Sequence, residues 1–240
     1  VTNGAQSGLA SVAYAMSVLR SGQENAMLAT GSDENSDIMT ELFGKLGVTS
    51  EKVVAPFAGN DGFVLSDGSA SVLIEDEKSA KERGARIYCH VTGYGMAHSN
   101  VKFGTLTGSE AGLTNAVNNA LADAGMTIDD IDAVFGFANG MKAVDDVEIK
   151  GLTAVFGDKL AEKPVVELKE VLGESRAAAA TTAAAHAALM FAGKIPSQDA
   201  YSIAADGSVS KTKAEASKLN NVLVAAYGAG GSYTAIVLSR

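Results

Sequence analysis

The sequence is short of several residue types, and each shortage excludes a class of protein. There is no tryptophan, one cysteine (Cys89) and three prolines among the 240 residues. A single cysteine excludes an internal disulfide framework and is typical of a reducing cytoplasm. The three histidines are scattered without i,i+4 spacing or a cysteine cluster, so the sequence predicts no metal site. No apolar run reaches the roughly 18 residues of a membrane span.

The chain is also short of positive charge. Lysine and arginine number 19 against 28 aspartates and glutamates, which gives a formal net charge of −9 and a pI near 4.8. The basic residues form no run, so we expect neither nucleic acid nor an anionic membrane surface as a partner. We expect this chain to hold no cofactor of its own.

What the sequence does contain is 47% hydrophobic residues with many alanines and glycines, as in closely packed helices. Residues 5–20 and 174–192 are apolar or small on every face, which predicts two helices buried all round. Strand and helix patterns alternate elsewhere, which predicts an α/β fold. Helices are predicted over 37–46, 78–83, 108–124 and 144–156, and strands over 26–30, 70–75, 86–93, 132–137, 164–168, 221–227 and 233–239.

The two all-round buried helices stand in corresponding places of the chain, and they predict two related halves in a five-layer sandwich. Four short stretches then identify a family, because they occur in the same order as in the thiolase-fold β-ketoacyl synthases. They are Ser7–Val12, Pro56-Phe57 with Asp61–Ala70, Gly84–Tyr88 with Gly93–Gly95, and Tyr227–Gly231. The resemblance implies a five-layer α-β-α-β-α sandwich of two pseudo-repeats.

The catalytic positions of that family are not kept. A ketosynthase of this kind uses one cysteine and two histidines. The nucleophile position is Ala5, or Gln6 if the turn is one residue shorter, and we prefer the register without a gap. The first histidine position is Asn139 and the second is Glu174, while Lys169 of the second motif remains. The resemblance thus implies vestigial positions and no catalytic residue.

The aromatic gate of the last glycine-rich turn is also replaced, by Ala229. Loss of chemistry on a retained scaffold resembles the chain-length factor, the inactive subunit of type II polyketide synthases. That resemblance implies an active ketosynthase partner, with which the chain would cap the tunnel that holds the growing poly-β-ketone. It also implies malonyl units delivered by an acyl carrier protein, whose phosphopantetheine reaches the partner's site.

The family places three strands and two helices before the nucleophile turn, and this sequence shows none of them. Residues 1–85 are therefore interpreted as the C-terminal part of the first half, its opening strands missing, and residues 86–240 as the second half. Without those strands the segments 26–30 and 70–75 would expose an apolar sheet edge. We expect a complementary N-terminal polypeptide, either a cleaved fragment or a separate product.

Two other functions stay open. One is an active acyltransferase that uses Gln6, Glu174 or a nucleophile from the complementary part. The other is a purely structural subunit of a fatty-acid or quinolone-type condensing pair. Single residues also have plain structural interpretations: Cys89 as packing, His186 as a satisfied core or interface residue, and Glu174 as a carboxylate at a helix start.

Overall fold

The computed structural model describes residues 1–52, 55–60, 62–102, 106 and 108–240. Asp61, quoted above in a family motif, lies outside them. The α-helices are α1 (Ser7–Arg20), α2 (Asp37–Lys45), α3 (Glu77–Glu82), α4 (Glu110–Ala124), α5 (Lys142–Phe156), α6 (Lys169–Leu172) and α7 (Ala177–Phe191). The strands are β1 (Ala26–Asp33), β2 (Gly68–Glu75), β3 (His90–His98), β4 (Ala133–Phe135), β5 (Val165–Val166), β6 (Ser197–Ile203), β7 (Val209–Glu215), β8 (Asn221–Gly228) and β9 (Ser232–Ser239).

Seven strands form one mixed sheet in the order β3-β9-β8-β4-β5-β6-β7. Strand β4 runs parallel to β8 and β5, whereas β9 is antiparallel to both β8 and β3. Strands β8 and β9 are buried along almost their whole length, as expected for strands covered on both faces. The sheet therefore separates two hydrophobic cores.

Helices cover both faces of this sheet. One core joins the sheet to α4 and α5, and the other joins it to α1 and α7. The antiparallel strand pair β1–β2 packs on the far side of α1 and α7. The layers are, in order, helices α4 and α5, the seven-stranded sheet, helices α1 and α7, and the strand pair β1–β2. They are four of the five predicted layers, and the thiolase-like α/β fold is confirmed.

Two glycines let α7 approach the first repeat closely. A Cβ on Gly8 would lie 2.1 Å from the carbonyl oxygen of Ala177, and one on Gly31 would lie 2.4 Å from the same atom. Any larger residue would push the start of α7 away from α1 and β1. These contacts fix the start of α7 beside the start of α1, where the predicted site residues lie.

One hairpin was not predicted from the sequence. Strands β6 and β7 pair from Ser197↔Glu215 to Ile203↔Val209, around a turn that contains Asp206 and Gly207. Gly207 has φ +82°, and Asp206 accepts a hydrogen bond from the N–H of Ser208. An Asp-Gly pair between alternating segments is a known hairpin signal, so the sequence did contain the information.

The structure corrects three expectations about strands and burial. The strand predicted over 86–93 begins only at His90, because His90 pairs with Ser239, the last residue of β9, and earlier residues have no strand beside them. The two central helices are not buried all round, since Tyr14 is 57% and Leu189 is 38% exposed. The apolar run 26–30 also predicts a buried strand, whereas β1 is buried on one face only.

The face of the β1–β2 strand pair that points away from α1 and α7 is exposed to solvent. Leu28 is 67% and Leu73 is 55% exposed, and Thr30 bonds across to Ser71 through its hydroxyl at 2.8 Å. The sequence predicted an exposed apolar edge for these segments, whereas Leu28 and Leu73 lie on an exposed face of the strand pair. Among the described residues no helix is long and apolar enough to cross a membrane.

Candidate functional site

Two of the five predicted site positions, Ala5 and Lys169, line one small cavity, and Glu174 and Asn139 are linked to it by hydrogen bonds through Lys169. The cavity lies at the start of α1, beside the turn from α6 to α7 and the ends of β4 and β8, and its volume of about 20 Å³ is enough for one water molecule. Ala5, Lys169, Arg176 and Tyr227 line it, and alanines of α7 form its apolar wall. The sequence-distant positions are thus brought together.

Glu174 is the centre of a closed polar network at this cavity. Its Oε2 accepts a hydrogen bond from Asn139 Nδ2 at 2.8 Å and from Lys169 Nζ at 2.7 Å. The side chains of Lys169 and Glu174 are only 13% and 7% exposed. The same ammonium also donates to the carbonyl oxygen of Phe137 at 3.0 Å. The carboxylate charge is therefore balanced inside the protein.

The other oxygen of Glu174 has a different role. Its Oε1 accepts the backbone N–H of Arg176 at 2.9 Å, next to the first residue of α7. The sequence left two interpretations of Glu174 open, a helix-start carboxylate and a group that faces the site. One carboxylate oxygen lies at the start of α7, and the other bonds to Asn139 and to Lys169, which lines the cavity.

The backbone on both sides of Glu174 is held in a fixed conformation that directs its carboxylate toward Lys169. Gly173 has φ +75°, and the N–H of Glu174 donates to the carbonyl oxygen of Val64 at 2.7 Å. Arg176 has φ +48°, unusual for a residue with a Cβ, and its guanidinium is ion-paired with Asp33 at 2.5 Å. The turn is thus anchored to the first repeat on both sides.

Ala5, not Gln6, faces the cavity. Gly4 has φ +64° and forms a tight turn that Ser7 closes by donating its hydroxyl to the Gly4 carbonyl oxygen at 2.6 Å. Gln6 is fully buried and points toward β9, where the Thr234 hydroxyl donates to its Oε1. Its Nε2 has no partner among the described residues. The gap-free register therefore places a methyl group where the family carries its nucleophile.

Asp145 holds the loop that carries Asn139. Its Oδ1 accepts the N–H groups of Asn139 at 3.0 Å and Gly140 at 3.2 Å, and its Oδ2 accepts that of Phe57 at 2.7 Å. Burial raises the pKa of Asp145, and the three backbone donors work in the opposite direction. Three acidic residues stand near the start of α5: Asp145 and Glu148 are buried, whereas Asp146 is half-buried and pairs with Lys142.

Two further carboxyls lie buried close to this site, and sequence reasoning missed the second, Glu167. Glu148 of α5 is fully buried and accepts the N–H of Phe137 at 2.8 Å. Glu167, directly after β5, is 3% exposed. The available signal was weak: a glutamate that follows a run of apolar strand residues.

Aromatic rings close the other side of the cavity. Tyr227 lies between Phe137 and Tyr233, with centroid distances of 5.7 and 5.3 Å. Burial raises the pKa of Tyr233 to about 12 while its hydroxyl accepts the N–H of Ser109 at 2.6 Å. Ala229, at the position of the family's aromatic gate, is exposed in the β8–β9 turn.

Cys89 and His186 lie away from the cavity. Cys89 lines a separate groove between β2, α1 and α7, and burial raises its pKa to about 11. His186 packs beside Phe135, and burial lowers its pKa; its Nε2 has no partner among the described residues. His186 is thus a half-buried residue at the edge of the core, and a hydrogen bond with Gln198 acts against the lowering of its pKa. No three metal-ligating side chains cluster within the described ranges.

Comparisons with known proteins agree with this arrangement. The model of the β-ketoacyl synthase N-terminal domain matches residues 2–80, and that of the C-terminal domain matches residues 88–201. The ketoacyl synthase alpha subunit of the tetracenomycin polyketide synthase from Streptomyces glaucescens is 28% identical over 100% of this chain and 59% of its own length. The chain belongs to the β-ketoacyl synthase family.

Solved structures show the same fold. The ishigamide ketosynthase/chain length factor superposes with a TM-score of 0.86 at 27% identity, over 100% of this chain and 60% of that one. A type II polyketide synthase acyl carrier protein in complex with its ketosynthase gives a TM-score of 0.85 at 21% identity, over 100% and 62%. The chain spans about 60% of the length of each of these proteins.

Proposed function

We propose that this chain is a non-catalytic subunit of the chain-length-factor type, which pairs with an active ketosynthase in polyketide elongation. The proposal rests on the hydrogen bond from Asn139 Nδ2 to Glu174 Oε2, because this bond joins the two positions where the family has its histidines. Each of these side chains is engaged with the other and neither is free to exchange a proton with a bound thioester.

The chemistry of the cavity supports this proposal. Ala5 offers no lone pair, and the Lys169 ammonium is committed to Phe137 and Glu174. A carboxylate at this place would repel a developing enolate, whereas an oxyanion site requires donors directed at the new charge. The alanine-lined wall of α7 offers no group for proton transfer.

The partners follow from the same proposal. The ketosynthase subunit would supply cysteine and both histidines, and the acyl carrier protein would bring malonyl units on its phosphopantetheine. Our chain carries a net charge of −9, which disfavours docking of an acidic carrier protein. We therefore place the docking surface for the carrier mainly on the partner subunit.

A complementary segment is a further part of the proposal, and the two repeats support it. In the second repeat the hairpin β8–β9 is flanked by β4 and β3. In the first repeat the antiparallel pair β1–β2 also follows a central helix, α1, but these two strands form a sheet by themselves. A segment that supplies one strand parallel to β1 and one antiparallel to β2 would complete the symmetry and cover an apolar edge.

Product analysis tests the elongation role. The chain, tagged at Arg240, is produced with its ketosynthase, carrier protein and complementary segment, and the polyketide length is measured by mass spectrometry. Ala179→Leu narrows the cavity and is expected to shorten the product, whereas Ala111→Leu on the exposed face of α4 is the matched control. Unchanged product length with A179L would favour a purely structural subunit.

Acylation tests the rival catalytic role. The complex is incubated with an activated thioester and the mass of each subunit is recorded. We expect the acyl group on the partner alone. An acyl adduct on this chain that a Gln6→Ala or Glu174→Ala substitution removes would contradict the proposal and indicate an acyltransferase.

A further inference from the structure

A buried carboxyl pair lies beneath the cavity and is not used by the proposed function. Glu148 comes from α5 and Glu167 follows β5, and they meet over Gly136. A Cβ built on Gly136 would lie 1.9 Å from Glu148 Oε1 and 2.0 Å from Glu167 Oε1. The two Oε1 atoms thus lie close to one point above Gly136, and only glycine leaves room for both carboxyl groups.

The donors around the pair are too few for two charges. Glu148 Oε2 accepts the N–H of Phe137, but Glu148 Oε1 and both oxygens of Glu167 have no donor among the described residues. A buried carboxylate without donors is costly, and two that touch each other repel as well. A proton between them would supply the missing donor and remove one charge.

The charged neighbours do not remove the problem. Lys169 lowers the pKa of both carboxyls, but its ammonium bonds to Phe137 and Glu174 instead of the pair. Asp145, also on α5, raises the pKa of both, and the Tyr201 hydroxyl of β6 donates to Glu170 at 2.7 Å instead of to the pair. Burial is the largest cause for both members, and the neighbouring Glu148 charge adds to it for Glu167.

We propose that Glu148 and Glu167 share one proton at neutral pH, with Glu167 as donor and Glu148 as acceptor. The shared proton keeps Glu148 on the N–H of Phe137, whose carbonyl oxygen holds Lys169. The pair is therefore a pH-sensitive support for the strand end that leads to Asn139. This inference does not depend on the proposed function, because it concerns protonation and stability alone.

The sign of the pH dependence follows from linkage. Both pKa values are raised in the folded chain, so folding takes up a proton above the pKa of about 4.3 of an unfolded glutamate. The folding equilibrium constant should then fall about tenfold per pH unit until the folded pair loses its proton. Neutral side chains in place of the pair would remove this contribution.

Denaturant unfolding of the intact complex between about pH 5 and pH 9 tests the proposal. Glu167→Gln should flatten the profile, because its amide donates to Glu148 without taking up a proton. Glu148→Gln should do the same, and exposed Glu162→Gln is the matched control with an unchanged profile. Profiles of both pair variants that run parallel to the unsubstituted protein would overturn the proposal.

Infrared spectroscopy gives a test that needs no folded variant. With glutamate labelled at its carboxyl carbon, the unsubstituted protein should show the carbonyl band of one protonated acid at neutral pH in a folded sample. The band should disappear on denaturation. Its absence from the folded protein at neutral pH would mean that both members are ionised, which would overturn the shared proton.

Discussion

Asn139 donates its side-chain amide to Glu174 across 35 residues of sequence, at 2.8 Å. This bond joins the loop after β4 to the turn before α7, and Lys169 completes it from α6. Three parts of the chain thus meet in a polar network whose members bond to one another. A network of this kind stabilises a fold and offers no free proton donor or acceptor to a ligand.

The first prediction concerns the buried ion pair. Lys169→Met leaves Glu174 as a buried carboxylate with fewer donors, so the free energy of unfolding should fall by about 3 kcal/mol. Adding Glu174→Gln should restore part of the loss, because no unpaired charge remains. Denaturant unfolding measures both. Lys159→Met, at an exposed ion pair with Asp129, should cost less than about 1 kcal/mol, and an equal loss there would contradict the prediction.

The second prediction concerns the nucleophile position. Ala5→Cys places a thiol at the cavity near the start of α1, where the helix dipole lowers a thiol pKa. The new thiol should react with iodoacetamide faster than Cys89. Condensation should still be absent, because Asn139 and Glu174 replace the two imidazoles. Measurable condensation by this variant, in a complex whose partner cysteine is replaced by alanine, would contradict the site assignment.

The third prediction concerns Cys89. Burial raises its pKa from 9.0 to about 11, so the thiolate fraction near neutral pH is about a hundredfold lower than in an unshifted thiol. The alkylation rate of the folded chain should therefore rise about tenfold per pH unit until about pH 11. The denatured chain is the control and should level off near its ordinary pKa. A plateau of the folded chain near pH 9 would refute the shift.

The fourth prediction concerns the backbone before α7. Arg176 has φ +48° and an ion pair with Asp33, so two effects oppose each other. Arg176→Ala keeps the strained φ and loses the ion pair, whereas Arg176→Gly loses the ion pair and relieves the strain. Both variants should unfold more easily than the original, with R176G about 1 kcal/mol more stable than R176A. The reverse order would show that the positive φ carries no strain.

Much of the fold could be predicted from the sequence because its signals are local. Helix periodicity, apolar strand runs and glycine turns predicted α1, α4, α5, α7, β8 and β9 to within a few residues. The missed β6–β7 hairpin had a local signal too, in Asp206 and Gly207. Errors came where a neighbouring element decides. Among the described residues, no strand pairs with residues 86–89 and no element covers Leu28.

The candidate site, like the fold, could be predicted from the sequence only in part. The sequence by itself determined which residue types stand at Ala5, Asn139 and Glu174, and therefore which chemistry those positions lack. Only the tertiary structure decided that Gln6 turns toward Thr234, and that the two oxygens of Glu174 serve different partners. Such facts depend on elements that are distant in sequence, and no local pattern records which side chains they bring within hydrogen-bonding distance.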